Sequence, residues 1–461
     1  RVYYFPPANI SLAVVGYSMG WTSPINPKLK NITESPLGEV ITADQEAWIG
    51  SLLTVGALFG PTVGGFAASS VGRKWGILST TVPMLIGWTL VAAAHNVAMI
   101  YAGRVFWGLA AGMLFTISPM YCAEIATDDV RGALGSFLQV FLTLGFLLIY
   151  SIGPYISYWA IAYVGLGFVA VFALTFFWMP ESPMYYLIKN DPHAAAKALE
   201  ALRGKSRAGI QDELDRMQAD VSASPASNAT IADIFRGGNF KAFYLLVILI
   251  IFQQLSGINA VLFYMTNIFI AAGSTLEPAI ATIIIGVIQV VASSMTPLVV
   301  DRLGRRPLLL GSTAGTAVGL GLLGMYFIMD ANDSPLVKSI SFLPIFALVL
   351  FIIANCVGMG PLPWAIMGEL LPIEVKALAS PIVTTFCWIM CFLVTRYFTL
   401  IAEVTGMGVV FLIFGAFCVM CFFFTLFLIP ETKGKSFQEI EDMLAENNKP
   451  GRSATKICLT L

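Results

Sequence analysis

The stretch KAFYLLVILIIFQQLSGINAVLFYMTNIFIAA, residues 241–272, carries a single charged residue, Lys241, at its first position. A helix needs about 20 mostly apolar residues to cross the hydrocarbon core of a bilayer. Lipid offers no hydrogen-bond partners to the backbone, so a helix is the structure expected for such a run. The stretch therefore predicts one membrane-spanning helix, and it holds several side-chain amides near its middle.

Eleven further apolar runs of similar character lie before and after this one. With 57% hydrophobic and only 11% charged residues, the chain has too little polar surface to cover a water-soluble globule. We therefore predict an all-α membrane protein with twelve transmembrane helices. The predicted spans are residues 8–22, 46–68, 76–94, 98–121, 133–154, 159–179, 241–272, 277–300, 307–329, 339–367, 377–401 and 406–429.

Lysine and arginine predict the orientation of the chain. Twelve spans put both termini on one side, and 21 of the 26 Lys and Arg residues fall on that side, against 4 on the other. Since basic loops stay in the cytoplasm, both termini are expected there, in a multi-pass protein of the plasma membrane. The glycosylation sequons at Asn31 and Asn332 then lie outside, whereas the sequon at Asn228 lies inside and is expected to stay unmodified.

A polar stretch between the sixth and seventh spans divides the chain into two six-helix halves. The predicted units are residues 1–180, the cytoplasmic helical linker 181–240, residues 241–430, and a cytoplasmic helix and tail over 431–461. Within the linker, Asp191 before Pro192 predicts a helix that ends at Gly204. Further polar helices are expected over residues 209–220, after a capping box at Thr230, and from Ser436 to about Ala445.

Three motifs recur in both halves in the same order and at similar spacing. In the first half they are Ser70–Lys74, the pair Glu124 and Arg131, and Pro180–Pro183. The corresponding motifs of the second half are Arg302–Arg306, the pair Glu369 and Lys376, and Pro430–Lys433. Duplicated halves give such a repeat. Parallel repeats that hold a substrate between them are typical of rocker-type transporters.

Taken together, these motifs resemble the sugar porter family of the major facilitator superfamily over essentially the whole chain. The motifs that carry the resemblance are Gly103-Arg104, Pro180–Pro183, Gln253–Asn259, Asp301–Arg306, Gly360–Trp364 and Pro430–Gly434. The segment Gly16–Pro24 is most similar to the insect branch that carries trehalose and hexoses. The resemblance implies facilitated transport of a sugar, trehalose or a hexose such as glucose, by alternating access.

Three amides, Gln253, Gln254 and Asn259, lie close together in the seventh span. An unpartnered polar group in an apolar medium costs roughly 2–7 kcal/mol, so these amides need partners. An amide both donates and accepts, and can therefore serve a sugar hydroxyl in either role. The alternative is that they join neighbouring helices. Gly257 is expected to weaken the helix beside them and allow a bend.

Further candidate site residues lie in other spans. Gln139 and Gln289 are single amides that could bind substrate or join helices, and the resemblance places Gln139 at the sugar. Trp364 follows two prolines, so its helix is expected to be broken; its indole suits the apolar face of a sugar ring, with an interfacial anchor as the alternative. Phe263 and Tyr264 resemble residues that gate the outer side, although plain packing is also open.

The sequence departs from the glucose facilitators at two places. Asn355-Cys356 stands where those proteins tend to have an acidic residue, and Cys387-Trp388 stands where an Asn often precedes the Trp. The second half of the site is therefore expected to be less polar than in those proteins.

Charged residues at the cytoplasmic helix ends form a second predicted system. The resemblance implies salt bridges between the halves that hold the outward-facing state and break on inward opening. The alternative, charges that only set topology, does not explain the acidic residues. Ser69-Ser70 replaces the Asp-Arg of the second half, so a weaker latch is expected in the first. The latch residues are Glu124, Arg131, Glu181, Asp301, Arg305, Arg306, Glu369, Lys376 and Glu431.

Other classes of function find little support. Only His95 and His193 are available for imidazole chemistry, so we expect no enzyme, no catalytic set, no metal site and no cofactor. A net charge of −1 gives no attraction to nucleic acid. The Cys418-x-x-Cys421 pair lies in an apolar run and indicates packing. A channel or receptor fits the duplicated halves poorly, which leaves a sugar and the bilayer as partners, with no obligate protein partner.

The remaining alternative is a proton-coupled sugar symporter. Symporters that resemble this chain place an Asp directly after the Gly-Tyr pair of the first span, but here Gly16-Tyr17 is followed by Ser18. Carboxylates inside a membrane are costly and persist where function requires them. The absence of an acidic residue from the first span therefore predicts a uniporter.

Overall fold

The computed structural model describes residues 5–127, 131–223, 230–273, 276–371 and 373–433, together with 435, 439 and 443. Its helices are α1 (Phe5–Gly20), α2 (Thr22–Leu29), α3 (Ala43–Ser70), α4 (Arg73–Ser79), α5 (Thr81–Ala92), α6 (Val97–Ile125), α7 (Arg131–Ile152), α8 (Tyr158–Phe177), α9 (Pro183–Ile188), α10 (Pro192–Arg203), α11 (Arg207–Ala223), α12 (Ile231–Ile234), α13 (Gly237–Leu255), α14 (Ile258–Ala271), α15 (Pro278–Leu303), α16 (Arg305–Ala331), α17 (Leu343–Ala354), the π-helical segment Asn355–Met359, α18 (Leu362–Leu370), α19 (Ile373–Thr405) and α20 (Met407–Leu428).

The predicted spans correspond closely to these helices. In the described part of the chain, ten helices or continuous helix pairs are long and apolar enough to cross a membrane. The other two predicted spans are shorter: α1 has 16 residues, and the apolar part of α7 covers Phe137–Ile152. Each predicted span begins and ends within four residues of the observed bounds. The fold is all-α with two six-helix halves, as predicted.

The first predicted span is followed by a second helix that the sequence did not predict. After a single turn residue, Trp21, α2 runs on to Leu29 through Pro24. Pro24 lies in the first turn of α2, where its missing N–H would have no helical partner in any case. The extension is buried: Thr22, Ser23 and Ile25 are 0% exposed.

Close helix packing within the first half depends on small residues. A Cβ added to Gly56 would lie 2.0 Å from the Val105 carbonyl oxygen, and one on Gly60 would lie 2.4 Å from the Gly112 Cα. Such positions let α3 and α6 approach at backbone distance, as small residues do in membrane helices. In the second half, α16 packs on α17 and α20, and α13 packs on α19. The halves meet where α3 packs on α19 and α7 packs on α15.

Capping residues determine the ends of two linker helices, as predicted. The Asp191 carboxylate accepts from the Ala194 N–H at 2.9 Å, and α10 ends at Gly204 in the left-handed conformation. Thr230 and Asp233 form the capping box of α12. Arg203 donates to the Ile125 carbonyl at 2.9 Å and holds the linker against the end of α6. The helix predicted from Ser436 to Ala445 lies almost wholly outside the described residues.

The two ends of the helix bundle carry different features, and we call them the sequon end and the linker end. The sequon end holds Asn31 and Asn332, which are both exposed. At the first of these sequons, Thr33 Oγ1 donates to Asn31 Oδ1 at 2.8 Å. The linker end holds α9–α12 and the repeated charged motifs of both halves. The sequon at Asn228 lies outside the described residues.

Candidate functional site

The seventh span is broken at Gly257, between α13 and α14. Gly257 has φ +76°, and a Cβ there would lie 2.3 Å from the Phe414 ring, so both backbone and space require glycine. Gln253 and Gln254 lie just before the break and Asn259 just after it. The bend predicted from Gly257 is therefore present, and the three amides surround it.

Gln254 and Asn259 are directly bonded. Asn259 Nδ2 donates to Gln254 Oε1 at 2.7 Å, while Gln254 Nε2 donates to the Cys387 sulfur at 3.0 Å. Gln254 is only 5% exposed. The bond between the two amides spans the break and fixes their orientation, and the bond to Cys387 connects Gln254 to α19. The two amides therefore form a pre-arranged polar surface.

Gln253 supports the broken tenth span. Its Nε2 donates to the carbonyl oxygens of Met359, at 3.0 Å, and Gly360, at 2.7 Å. These carbonyls lie where the π-helical segment gives way to α18, so the amide satisfies groups that the break leaves without helical partners. Trp364 follows in α18 with 37% of its surface exposed. The predicted break near Trp364 is present.

Four of the buried polar atoms that lack a hydrogen-bond partner in the described part of the chain lie in the spans that carry the candidate site residues of the second half. Gln253 Oε1 and Gln289 Oε1 are acceptors, and Asn355 Nδ2 and Trp388 Nε1 are donors. They come from α13, α15, the π-helical segment and α19. Buried polar groups are normally bonded, so each of these atoms is free to bond a ligand or water. A polyhydroxyl ligand, whose hydroxyls both donate and accept, matches this mixture.

Asn355 and Trp388 were not among the predicted site residues; the sequence showed them only at the two places where the chain departs from the glucose facilitators. Their side chains are 3% and 7% exposed. Both follow from the fold: Trp388 is adjacent to Cys387, which bonds Gln254, and Asn355 begins the π-helical segment that Gln253 supports. Whether the second half of the site is less polar than in the glucose facilitators stays a prediction.

Gln139 lies apart from these amides, in the other half. Its side chain is exposed, and it shares a helical face of α7 with the buried residues Thr143, Phe146 and Tyr150. Tyr150 donates to the Leu262 carbonyl at 2.7 Å, so this face of α7 is turned toward the second half. Eleven residues separate Gln139 from Tyr150, or about 16 Å along a helix, toward the linker end.

Phe263 and Tyr264 lie at the junction of the halves near the sequon end. Both are fully buried. The Phe263 carbonyl accepts from Thr22 at 3.0 Å, and the Tyr264 hydroxyl donates to the Thr395 carbonyl at 3.3 Å. A Cβ on Gly50 would lie 2.0 Å from the Tyr264 hydroxyl oxygen, so the Tyr264 side chain packs directly against the backbone of α3. Whether the two aromatics gate transport stays a prediction.

Arg104 is fully buried in α6 and bonds only to backbone carbonyls in the described residues. It donates to the carbonyl oxygens of Ile49 and Ser18, both at 2.8 Å, and to that of Gly50 at 3.3 Å. Its guanidinium also lies 5.8 Å from the Phe263 ring centroid. The charge therefore joins α1, α3 and α6, directly beside the position where related symporters carry Asp.

At the linker end of the first half, what we call the first charge cluster consists of five residues, Arg73, Lys74, Glu124, Glu181 and Ser182. Arg73 pairs with Glu124 at 2.8 Å, and Ser182 also donates to that carboxylate. Glu181 accepts from the Arg73 N–H at 2.9 Å and from the Lys74 N–H at 3.0 Å. A carboxylate thus caps the N-terminus of α4, where the helix dipole favours negative charge.

The second half repeats this arrangement in the second charge cluster. Arg305 pairs with Glu369 at 2.9 Å, and Thr432 donates to the same carboxylate at 2.5 Å. Glu431 accepts from the Arg305 and Arg306 N–H groups, both at 3.0 Å. The ion pair of each charge cluster thus joins residues of one half. A latch between the halves stays a prediction.

Sequence reasoning missed Arg73, Ser182 and Thr432. The internal repeat contained the signal, because Arg73 corresponds to Arg305, and Ser182 corresponds to Thr432. Of the other predicted latch residues, Arg306 also donates to the Leu426 carbonyl at 2.5 Å, and Lys376 donates to the Gly368 carbonyl. The side chains of Arg131 and Asp301 lie outside the described residues.

The two capping carboxylates differ in acidity. Burial raises the pKa of the Glu181 carboxyl above its ordinary value, against the lowering effect of the backbone N–H groups that it accepts from. Burial also raises the pKa of Glu431, but there the N–H groups prevail and the net shift is downward. As the pH falls, Glu181 is therefore expected to take up a proton before Glu431, and the first charge cluster loosens first.

Replacing Gly72 by Ala should break the first charge cluster. Gly72 has φ +104° and ψ 167°, a region essentially restricted to glycine, and a Cβ there would lie 2.3 Å from Glu181 Oε2. Backbone strain alone costs about 1–3 kcal/mol. We expect a lower melting temperature of the purified protein by intrinsic fluorescence. Gly204→Ala is the matched control, since Gly204 has φ +61° but open space around it. An equal fall in both variants would exclude a specific effect on Glu181.

Comparison with known proteins places this geometry in context. The family described as "Sugar (and other) transporter" matches residues 5–444. The facilitated trehalose transporter Tret1 of Anopheles gambiae is 36% identical over 432 residues, covering 93% of this chain and 54% of that protein. Its counterpart in Apis mellifera ligustica is 35% identical over 436 residues, covering 94% and 86%. The chain thus spans about half the length of the mosquito relative.

Solved structures are similar in fold. The xylose transporter XylE from E. coli in its inward-open conformation has a TM-score of 0.79 and 22% identity, covering 95% of this chain and 98% of that one. Its partially occluded inward-open conformation has a TM-score of 0.78 and 21% identity, covering 94% and 99%. At such identities the likeness concerns the fold alone.

Proposed function

The chain belongs to the sugar transporter family, and from this premise we propose that it carries a sugar, trehalose or a hexose such as glucose, across the plasma membrane by facilitated diffusion. The two halves would expose the site to each side in turn. The names of the insect relatives support trehalose as a substrate. The alternative function is proton-coupled sugar symport.

The observation that carries this proposal is the set of unpartnered polar atoms in the spans of the second half. Two acceptors, on Gln253 and Gln289, and two donors, on Asn355 and Trp388, are buried without partners in the described residues. Leaving each unsatisfied costs about 1–3 kcal/mol, which a bound sugar would recover. We assign the substrate site to Gln139, Gln253, Gln254, Asn259, Gln289 and Trp364, with Asn355 and Trp388 added.

We further assign roles to the ends of the bundle. Phe263 and Tyr264 are proposed to gate the sequon end, and the two charge clusters to form the latch at the linker end. The positive-inside rule supports a cytoplasmic linker end, with both termini on that side. It also supports an extracellular sequon end, where the exposed Asn31 and Asn332 are accessible to glycosylation. The proposed units are residues 1–180, 181–240, 241–430 and 431–461.

The surroundings of Arg104 support uniport over symport. A coupled proton needs a titratable group whose charge changes with sugar occupancy. In the described residues, Arg104 is satisfied by three backbone carbonyls, and the neighbouring position holds Ser18, which does not titrate in a useful range. No protonation step is therefore needed to release or hold the buried charge.

Flux into proteoliposomes tests this function. Labelled trehalose or glucose is expected to equilibrate without exceeding the outside concentration, with or without an inward proton gradient. Unlabelled sugars offered in competition would rank the substrates. Accumulation above equilibrium that collapses on adding a protonophore would replace the uniporter by the symporter. Liposomes with protein preincubated in excess unlabelled sugar serve as the control for leakage.

A further inference from the structure

Two acidic residues stand in the first turn of α3 at the sequon end. Thr42 and Gln45 form a capping box that begins this helix and fixes the direction of its first turn. Asp44 and Glu46 follow two residues apart, so their side chains leave the helix in different directions. Both reach toward neighbouring helices, and both find partners in the second half.

Asp44 pairs with Arg396 across the halves. The carboxylate oxygen of Asp44 lies 2.5 Å from Arg396 Nη2, and the Arg396 side chain is only 12% exposed. The guanidinium also lies 4.6 Å from the centroid of the Trp48 ring, one turn further along α3. Arg396 belongs to α19, so this contact ties the two halves by an ion pair and a cation–π interaction together.

Glu46 bridges the same two halves from a buried position. It is 2% exposed, and its Oε1 accepts from Asn267 Nδ2 of α14 at 2.5 Å. Its Oε2 lies 2.7 Å from Lys30 Nζ, in the same half as Glu46. When the halves separate, the bond to Asn267 must break while the pair with Lys30 can persist, so the buried charge stays compensated in both arrangements.

We propose that Asp44, Glu46, Asn267 and Arg396 form an outer latch that holds the sequon end closed and so sets the balance between the two orientations of the carrier. The inference rests on the proposed alternating transport and names residues that position the halves. The other hydrogen bonds described across this junction are uncharged, among them Ser23 with Thr266 at 2.9 Å. The outer latch therefore supplies the charged, direction-dependent contacts of the closed end.

The outer latch also opposes the charge clusters at the linker end. It lies at the other end of the bundle, and it joins the halves in the arrangement described here, whereas the clusters pair within each half. Closing the linker end by rocking the halves requires the outer latch to open. Weakening it should raise the population in which the sequon end is open.

Accessibility of a cysteine placed at Ser23 tests the proposal without any sugar. Ser23 is fully buried between the halves, and the six cysteines described in the structure are buried. The background is the full chain in nanodiscs with Ser23→Cys and Cys458→Ser. In Arg396→Gln we expect the rate of labelling by a hydrophilic thiol reagent to rise on the order of tenfold, the factor that 1.4 kcal/mol corresponds to.

A double-mutant cycle and two controls make the result specific. Asp44→Asn and Arg396→Gln together should label no faster than Arg396→Gln alone, since both remove one interaction. Arg396→Lys keeps the charge and should fall between the parent and Arg396→Gln. Lys338→Gln removes an exposed charge at the same end and should change nothing.

Unchanged labelling in both Arg396→Gln and Glu46→Gln would overturn the outer latch, and additive effects in the cycle would exclude the Asp44–Arg396 pair as its basis. Because labelling is measured without substrate, this outcome is independent of which sugar is carried and of coupling to protons. Melting temperatures near that of the parent would confirm that each variant is folded.

Discussion

Replacing Gln254 by Ala is expected to remove most sugar uptake while leaving the amount of protein in the membrane near normal. Gln254 accepts from Asn259 and donates to the Cys387 sulfur, so its loss releases both partners and removes a donor and an acceptor from the proposed site. A hydroxyl or amide left without its partner costs about 1–3 kcal/mol. That corresponds to roughly tenfold to hundredfold weaker sugar binding.

Sugar binding to the purified protein and initial uptake rates would measure this effect. Gln211→Ala is the matched control, since Gln211 is an exposed glutamine of the linker that bonds only Asp215 among the described residues. Cys387→Ser keeps an acceptor for Gln254 and should retain much of the activity. Normal affinity and normal uptake in Gln254→Ala would move the substrate site away from the break in the seventh span.

Replacing Glu369 by Ala is expected to lower the turnover of transport severely. Glu369 neutralises Arg305 and accepts from Thr432, and a hydrogen bond to a charged group contributes on the order of 2 kcal/mol. If the latch prediction holds, Glu369 gains partners in the opposite half when the linker end closes. The variant then loses more stabilising contacts when the linker end is closed than when it is open. The population therefore shifts toward the arrangement in which the sequon end is closed.

The Ser23→Cys reporter distinguishes this effect from a loss of folding. Glu369→Ala should label more slowly than the parent, opposite to the change expected for Arg396→Gln. Glu403→Ala removes an exposed carboxylate from the other end of α19 and should behave as the parent does. Normal turnover with unchanged labelling would leave Glu369 a role only within its own half.

Local signals in the sequence were sufficient to predict where the helices begin and end. The positions of twelve apolar runs predicted the spans to within four residues, because a backbone in lipid must bond within its own segment. Asp191, Gly204 and Thr230 predicted the linker helices, because caps act through neighbouring residues. Gly257 predicted the break beside the amides for the same reason.

Which partner each polar side chain meets was decided by tertiary structure. The sequence left open whether Gln253 meets sugar or joins helices, and its donor bonds carbonyls more than 100 residues away in the chain. The positive-inside count used Arg396 only as a charge on the outer side, whereas packing of α19 on α3 brings it against Asp44.

Apolar periodicity and caps report on neighbours a few residues apart, so the sequence by itself determined the spans, their order and the duplicated halves. The contacts that pair Asp44 with Arg396, bond Glu46 to Asn267, and leave Gln289 and Asn355 without partners join elements far apart in the chain. They exist only once the helices have packed, because a side chain's partner depends on the tilt and rotation of two helices together. Those contacts carry the proposed site and the outer latch.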